Sequence, residues 1–210
     1  MWGCYANSGA AMLKTLCLGG SFNPIHHGHL ICARAAAESS GFDRILLIPS
    51  SQPPHKPGNT ELAPAAHRLA MTRAAVAGNT LFDIDGQEIA RSGPSFTIDT
   101  VRTLKRDGMK RVNWLIGADL LPQLQTWHEP EALLEEADFW VMQRPGSEID
   151  WASLAPPLRA LRERLLVAPM IDISGTDIRR RVSRGQSIDF LTPGPVIAYI
   201  EEHKLYAQRL

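Results

Sequence analysis

Ile45-Leu46-Leu47-Ile48 is an unbroken apolar run between Arg44 and Pro49. A strand with one wet face alternates apolar and polar residues. A continuous run needs cover on both faces, which is the condition of a strand inside a parallel sheet. Similar short runs recur at residues 15–18, 81–84, 112–116, 139–142 and 165–167. Between them, apolar residues repeat at helical spacing over 29–39, 65–77, 98–106 and 131–136. Strands separated by helices predict right-handed βαβ units and an α/β fold with a doubly wound parallel sheet. The 210 residues suffice for one such domain, and neither an internal repeat nor a low-complexity linker divides them. The expected layout is a flexible N-terminal extension over 1–13 and a single domain over 14–210.

Composition narrows the partners. Lysine and arginine balance aspartate and glutamate at 22 each, so no basic surface for nucleic acid is expected. No apolar run approaches the roughly 20 residues that cross a bilayer, so no membrane partner is expected. The first eleven residues lack a basic cluster followed by an apolar stretch, so they do not read as a secretory signal. Cys4, Cys17 and Cys32 form no C-x-x-C pair, and the last two sit in apolar segments. They read as buried thiols in a reducing cytosol, giving a cytoplasmic localisation. Oligomeric state is not legible, and a homo-oligomer stays open.

Ligands of such sheets collect beyond the C-terminal ends of the strands. The distinctive residues fall there. After the first run comes Gly19-Gly20-Ser21-Phe22-Asn23-Pro24-Ile25-His26-His27-Gly28-His29, leading into an alanine-rich helix. Glycines let backbone N–H groups approach a phosphate, and a helix N-terminus adds partial positive charge. His26 and His29 are one turn apart and can face one anion. The string fits neither G-x-x-x-x-G-K-[ST] nor G-x-G-x-x-G. Taken alone, the two glycines would equally make an ordinary turn with capping histidines.

Other loops carry similar ambiguity. Pro49 to Pro57 is a stiff, proline-rich stretch, either a plain surface loop or a flap bringing Lys56 to a phosphate. Ser95 or Thr97 could cap the helix that follows Gly93-Pro94. Gly117 and Asp119 follow the fourth run, and Leu120, Leu124 and Trp127 make a helical stripe that reads first as core. Arg144 follows the fifth. Ser174-Gly175-Thr176-Asp177 reads as a capping box with Asp for Glu, starting a helix that stops at Gly185. Its N–H groups, two hydroxyls and Arg179 also make an anion site. Arg180 and Arg181 would otherwise be a solvated face.

The glycine-histidine string resembles the G-G-[ST]-F-D-P-x-H-x-G-H signature of nucleotidyltransferases that carry an H-x-G-H loop, with Asn23 where the family usually has Asp. Ile173 to Arg179 is similar to the family's I-S-x-T-x-I-R segment, with Gly175 at a variable position. Pro53-Pro54-His55-Lys56, Ser95-Phe96-Thr97 and Asp119 to Trp127 resemble strings of the bacterial nicotinate mononucleotide adenylyltransferases. The match runs from about Lys14 to Tyr206.

That resemblance implies a Rossmann-like nucleotidyltransferase fold and transfer of an adenylyl group from ATP to nicotinate mononucleotide, yielding nicotinate adenine dinucleotide and pyrophosphate. It implies His26, His29 and Arg179 as catalytic, with both imidazoles protonated on the α- and β-phosphates of ATP. Gly19, Gly20, Ser21, Phe22, Gly117, Asp119, Arg144, Ser174 and Thr176 would complete the ATP site. Lys56, Gly93, Ser95, Thr97, Trp127 and His128 would hold nicotinate mononucleotide. Mg²⁺ would arrive on the ATP phosphates with no protein cage. A histidine–metal site at His26, His27 and His29 is the rival, lacking a carboxylate at helical spacing. Alternative readings are an adenylyltransferase for nicotinamide mononucleotide or phosphopantetheine, or a non-catalytic nucleotide-binding module. A class I aminoacyl-tRNA synthetase shares the H-x-G-H loop, but no length remains for a tRNA-binding domain.

Overall fold

A computed structural model describes residues 13–54, 61–143 and 148–207. The first half runs β1 (Thr15–Gly20), α1 (His27–Ser40), β2 (Arg44–Pro49), α2 (Ala65–Val76), β3 (Phe82–Ile84), α3 (Gln87–Ala90) and α4 (Thr97–Arg106). The second runs β4 (Asn113–Gly117), α5 (Pro130–Glu136), β5 (Asp138–Gln143), α6 (Pro156–Arg159), β6 (Leu165–Val167), α7 (Gly175–Ser183) and α8 (Gly194–Glu202). The strands form one parallel sheet in the order β3-β2-β1-β4-β5-β6. The chain winds outward from β1 to β3, then restarts beside β1 with β4 and winds the other way. The switch point therefore lies between β1 and β4, and their following loops flank the crevice where ligands of such sheets bind.

The unbroken apolar strands are covered on both faces. Leu46 and Ile48 of β2, Trp114 and Ile116 of β4, and Phe139 and Val141 of β5 pack with Ile98, Val101 and Leu104 of α4. Leu16, Ile45, Leu47 and Leu115 point the other way, onto Ala33, Ala36 and Ala37 of α1, Met71 of α2, Ile178 of α7 and Val196 and Ile200 of α8. The small alanines of α1 allow that helix to lie close over the sheet, against β2 and β6. Burying a side chain of the size of Phe139 contributes roughly 2–3 kcal/mol. The side chains of Cys17 and Cys32 are buried, and burial pushes the Cys17 thiol up to about 12. Cys4 and the extension, apart from exposed Leu13, lie outside the described residues.

Three readings of the sequence need correction. Residues 120–127 do not form an α-helical stripe. Ala118–Thr126 is a 3-10 helix with Pro122 inside it, and the buried pair is Leu121 and Leu124, three apart as that helix requires. Neither Ser95 nor Thr97 caps α4, whose cap position is Phe96. At α7, Ser174 does accept the Asp177 N–H at 3.1 Å, but the Asp177 carboxylate meets Arg180 rather than closing the box. Helix α7 ends as expected, with Gly185 in the left-handed region at φ 65°.

Candidate active site

Two cavities adjoin beyond the C-terminal ends of β1 and β4. One, of about 380 Å³, is lined by Ser21, Asn23, His26, His29, Glu61, Gly175, Thr176 and Arg179. The other, of about 470 Å³, is lined by Gly19, Gly20, Glu88, Ser95, Phe96, Thr97, Gly117, Asp119, Trp127 and His128, among others. Ser21 and His29 line both, so the two spaces meet at the glycine-histidine loop. The first wall carries hydroxyl, imidazole and guanidinium groups and the Glu61 carboxylate. The second sets the rings of Phe96, Trp114, Trp127 and His128 among aliphatic and polar residues.

The histidines sit at the start of α1, with His26 at its cap position. The main-chain N–H of His26 donates to His29 Nδ1 at 3.3 Å, and the rings stack with centroids 3.6 Å apart. With Nδ1 accepting, a neutral His29 carries its proton on Nε2 and remains a donor. Phe22, expected at the ATP, is 1% exposed and instead stands edge-on to His29 at 5.2 Å, holding that ring from behind.

Helix α7 brings Arg179 to the same space. A Cβ on Gly175 would lie 2.8 Å from the Asn23 carbonyl oxygen, so only glycine lets the helix start approach the first loop this closely. Arg179 then donates to that carbonyl at 3.0 Å and to Glu61 Oε2 at 2.6 Å. The neighbouring arginines part from it: Arg180 pairs with Asp177, and Arg181 donates to the Ser187 carbonyl. Ser174 caps α7 without lining either cavity, whereas Thr176 lines the first.

In the aromatic cavity, Trp127 packs edge-on against Phe139 and His128 stacks on Phe96 at 4.2 Å. Thr97 opens α4 there. Ser95 lines this cavity, and its hydroxyl is engaged within the protein. Its hydroxyl oxygen accepts the N–H groups of Ser51 and Gln52 at 2.9 and 3.3 Å, and it hydrogen-bonds Glu88. Ser95 thereby ties the loop after β2 to the turn before α4. Gly93 has φ 87°, open only to glycine without strain, but it does not line the cavity. Lys56 and Arg144 lie outside the described residues.

Sequence reasoning missed Arg68, Glu88 and Glu61, and the partners of Asn23. Arg68 is fully buried and donates to four carbonyls, those of Ala63, Ser21, Ser50 and Ser51. It staples the loops after β1 and β2 to the start of α2. A signal existed, because Arg68, Met71, Thr72 and Val76 share one buried face of α2, where a charge is out of place. Glu88 is 4% exposed and accepts from Thr100 Oγ1 at 2.7 Å; burial raises its carboxyl above the usual range, offset in part by those hydrogen bonds. Nothing in its sequence context marked it. Asn23 Oδ1 accepts from Ala63 N and from the Tyr206 hydroxyl, while Nδ2 donates to the Glu61 carbonyl.

Among the described residues, no group of three or more histidine, cysteine, aspartate or glutamate side chains is placed to hold a metal ion. His26 and His29 are close, and Ser21, Thr176 and Arg179 beside them offer N–H and O–H groups that suit an anion, with Glu61 paired to Arg179.

A profile of the cytidylyltransferase-like family matches residues 17–181. A protein of Roseiflexus sp. named "Probable nicotinate-nucleotide adenylyltransferase" is 44% identical over 191 residues, covering 90% of this chain and 96% of its own. One of the same name from Thermomicrobium roseum is 42% identical over 191 residues, covering 90% and 89%. Among solved structures, the Plasmodium falciparum nicotinic acid mononucleotide adenylyltransferase complexed with NaAD superposes with a TM-score of 0.72 over 92% of this chain and 97% of its own, at 20% identity.

Proposed function

Because the chain belongs to the cytidylyltransferase-like family, we infer that it is a nicotinate-nucleotide adenylyltransferase, joining nicotinate mononucleotide to the adenylyl group of ATP and releasing pyrophosphate. One observation carries the reading: His29 and Arg179, distant in sequence, line one cavity that opens at His29 into an aromatic one. An anion site beside a flat, aromatic-walled slot suits a triphosphate beside a pyridine ring.

The acceptor phosphate is largely ionised near neutral pH, since its second pKa is about 6. It can attack the α-phosphorus of ATP directly, forming one P–O bond as the bond to pyrophosphate breaks. No general base or covalent intermediate is needed. The chain's task is to align the two phosphates and to receive the charge that develops on the leaving group. In this reading His26 and His29 donate to the α- and β-phosphates, and Thr176, Arg179 and the N–H groups opening α7 hold the β- and γ-phosphates. Gly19, Gly20, Ser21, Gly117 and Asp119 border the nucleoside. Trp127, His128 and Phe96 enclose the nicotinate ring, where stacking adds about 1 kcal/mol beyond area burial. Lys56 and Arg144 complete the proposal as phosphate contacts.

A divalent ion fits this site only as a passenger on the nucleotide. Among the described residues, the one carboxylate lining the first cavity is Glu61, which is engaged by Arg179. Mg²⁺ bound to phosphate oxygens would supply further charge neutralisation. No helix among the described residues is long and apolar enough to cross a membrane, and the buried cysteines suit a reducing cytosol. The test is pyrophosphate release with ATP and each of nicotinate mononucleotide, nicotinamide mononucleotide and phosphopantetheine. Release with the first at the highest kcat/KM is expected. Preference for either of the others, or no release at all, would contradict the reading.

A further inference from the structure

We propose that Glu61 stands in for a phosphate: with no nucleotide bound, its carboxylate occupies the Arg179 guanidinium, and a triphosphate binds by displacing it. The inference rests on Arg179 serving the triphosphate, as inferred above.

The geometry has three parts. Glu61 Oε2 lies 2.6 Å from an Arg179 terminal nitrogen, and both residues line the cavity that holds His26, His29 and Thr176. The carboxylate therefore sits inside the space assigned to phosphate, on one of the N–H groups that phosphate would use. Two oxyanions cannot share that group at hydrogen-bond distance without strong repulsion. The partners are also unequal. The Arg179 side chain is 14% exposed and also anchored on the Asn23 carbonyl at 3.0 Å, whereas the Glu61 side chain is 67% exposed. Arginine is the fixed member and glutamate the one that can swing away.

Asn23 sets the latch. Its amide nitrogen donates to the Glu61 carbonyl at 3.0 Å, while its oxygen accepts from Ala63 N at 3.1 Å and the Tyr206 hydroxyl at 2.8 Å. An ionised aspartate could accept the last two bonds but could not donate the first. The amide at this position, where the resemblance places a carboxylate, is thus what fastens the Glu61 backbone beside Arg179. Because water reaches the pair from the exposed Glu61 side, its opposition to anion binding is modest, about fivefold. That makes it a threshold rather than a block.

The test is calorimetric titration of inorganic tripolyphosphate and of ATP into the wild-type protein, E61Q and E61A, each also in an Arg179→Ala background. Both single variants should bind tripolyphosphate and ATP about two- to fivefold more tightly than wild type. The gain should vanish when Arg179 is absent, because nothing is then left to release. Equal or weaker binding in E61A would overturn the proposal, showing that Glu61 positions Arg179 rather than competing for it. An undiminished gain in the Arg179→Ala background would also overturn it, pointing to the general field of the lost charge. Tripolyphosphate binding needs no acceptor, so a wild-type protein that released no pyrophosphate would sink the assigned reaction while leaving this comparison decisive.

Discussion

His29 Nδ1 accepts the main-chain N–H of His26 at 3.3 Å, and the two imidazoles lie face to face with centroids 3.6 Å apart. With Nδ1 accepting, His29 presents Nε2 to the cavity as its donor. His29→Ala should leave the fold intact and lower kcat by about 10²-fold or more, the scale of removing one preorganised donor. His29→Gln, whose side-chain amide reaches about as far as Nε2, should recover part of that loss. Wild-type turnover in His29→Ala, measured as pyrophosphate release, would contradict the role.

Trp127 touches Phe139 at its edge and lines the aromatic cavity with the rest of its ring. Trp127→Ala should therefore raise KM for nicotinate mononucleotide about tenfold or more while moving KM for ATP little. Equal rises in both would mean that the ring serves the core and not the slot.

Arg68 is a buried cation that no acid pairs among its hydrogen bonds, all four of which end on main-chain carbonyls. Arg68→Met would leave those carbonyls without their donor, a loss on the order of 3 kcal/mol. Thermal or denaturant unfolding measures it directly. Arg68→Lys keeps the charge but not the planar fork, so its stability should fall between the two. A variant Arg68→Met as stable as wild type would show that the staple is dispensable.

Burial raises the Glu88 carboxyl above its ordinary value, against the opposing hydrogen bonds of Thr100 and Ser95. A carboxyl whose pKa is higher folded than unfolded adds stability that is complete below the unfolded value. That stability is lost as pH climbs through the folded value. Glu88→Gln cannot ionise, so the wild type should lose stability relative to it as pH rises from about 4 toward 7. Melting temperatures across that window check this, and parallel curves would contradict it.

Much of this was legible before any coordinates. The unbroken run at 45–48 required cover on both faces, and Leu46 and Leu47 indeed pack to opposite sides. The glycine-histidine string and the segment at 174–179 pointed to one another, and His26, His29, Thr176 and Arg179 do line one cavity, the one proposed for phosphate. The remainder depended on tertiary contact. Nothing local shows that Ser95 spends its hydroxyl on Ser51, Gln52 and Glu88, or that Asn23 reaches Glu61 and Tyr206. The 3-10 geometry of 118–126 was missed because a leucine spacing of four looks α-helical, while Pro122 and the cavity beside Leu120 decide otherwise.

The central claim is that imidazoles from the start of α1 and the guanidinium from α7 grip one triphosphate. A crystal structure with a non-hydrolysable ATP analogue measures this most directly. The account predicts phosphate oxygens within hydrogen-bond distance of both His29 Nε2 and Arg179, with Glu61 turned away. A triphosphate bound outside the cavity those residues share, with the Glu61–Arg179 pair still closed, would contradict it.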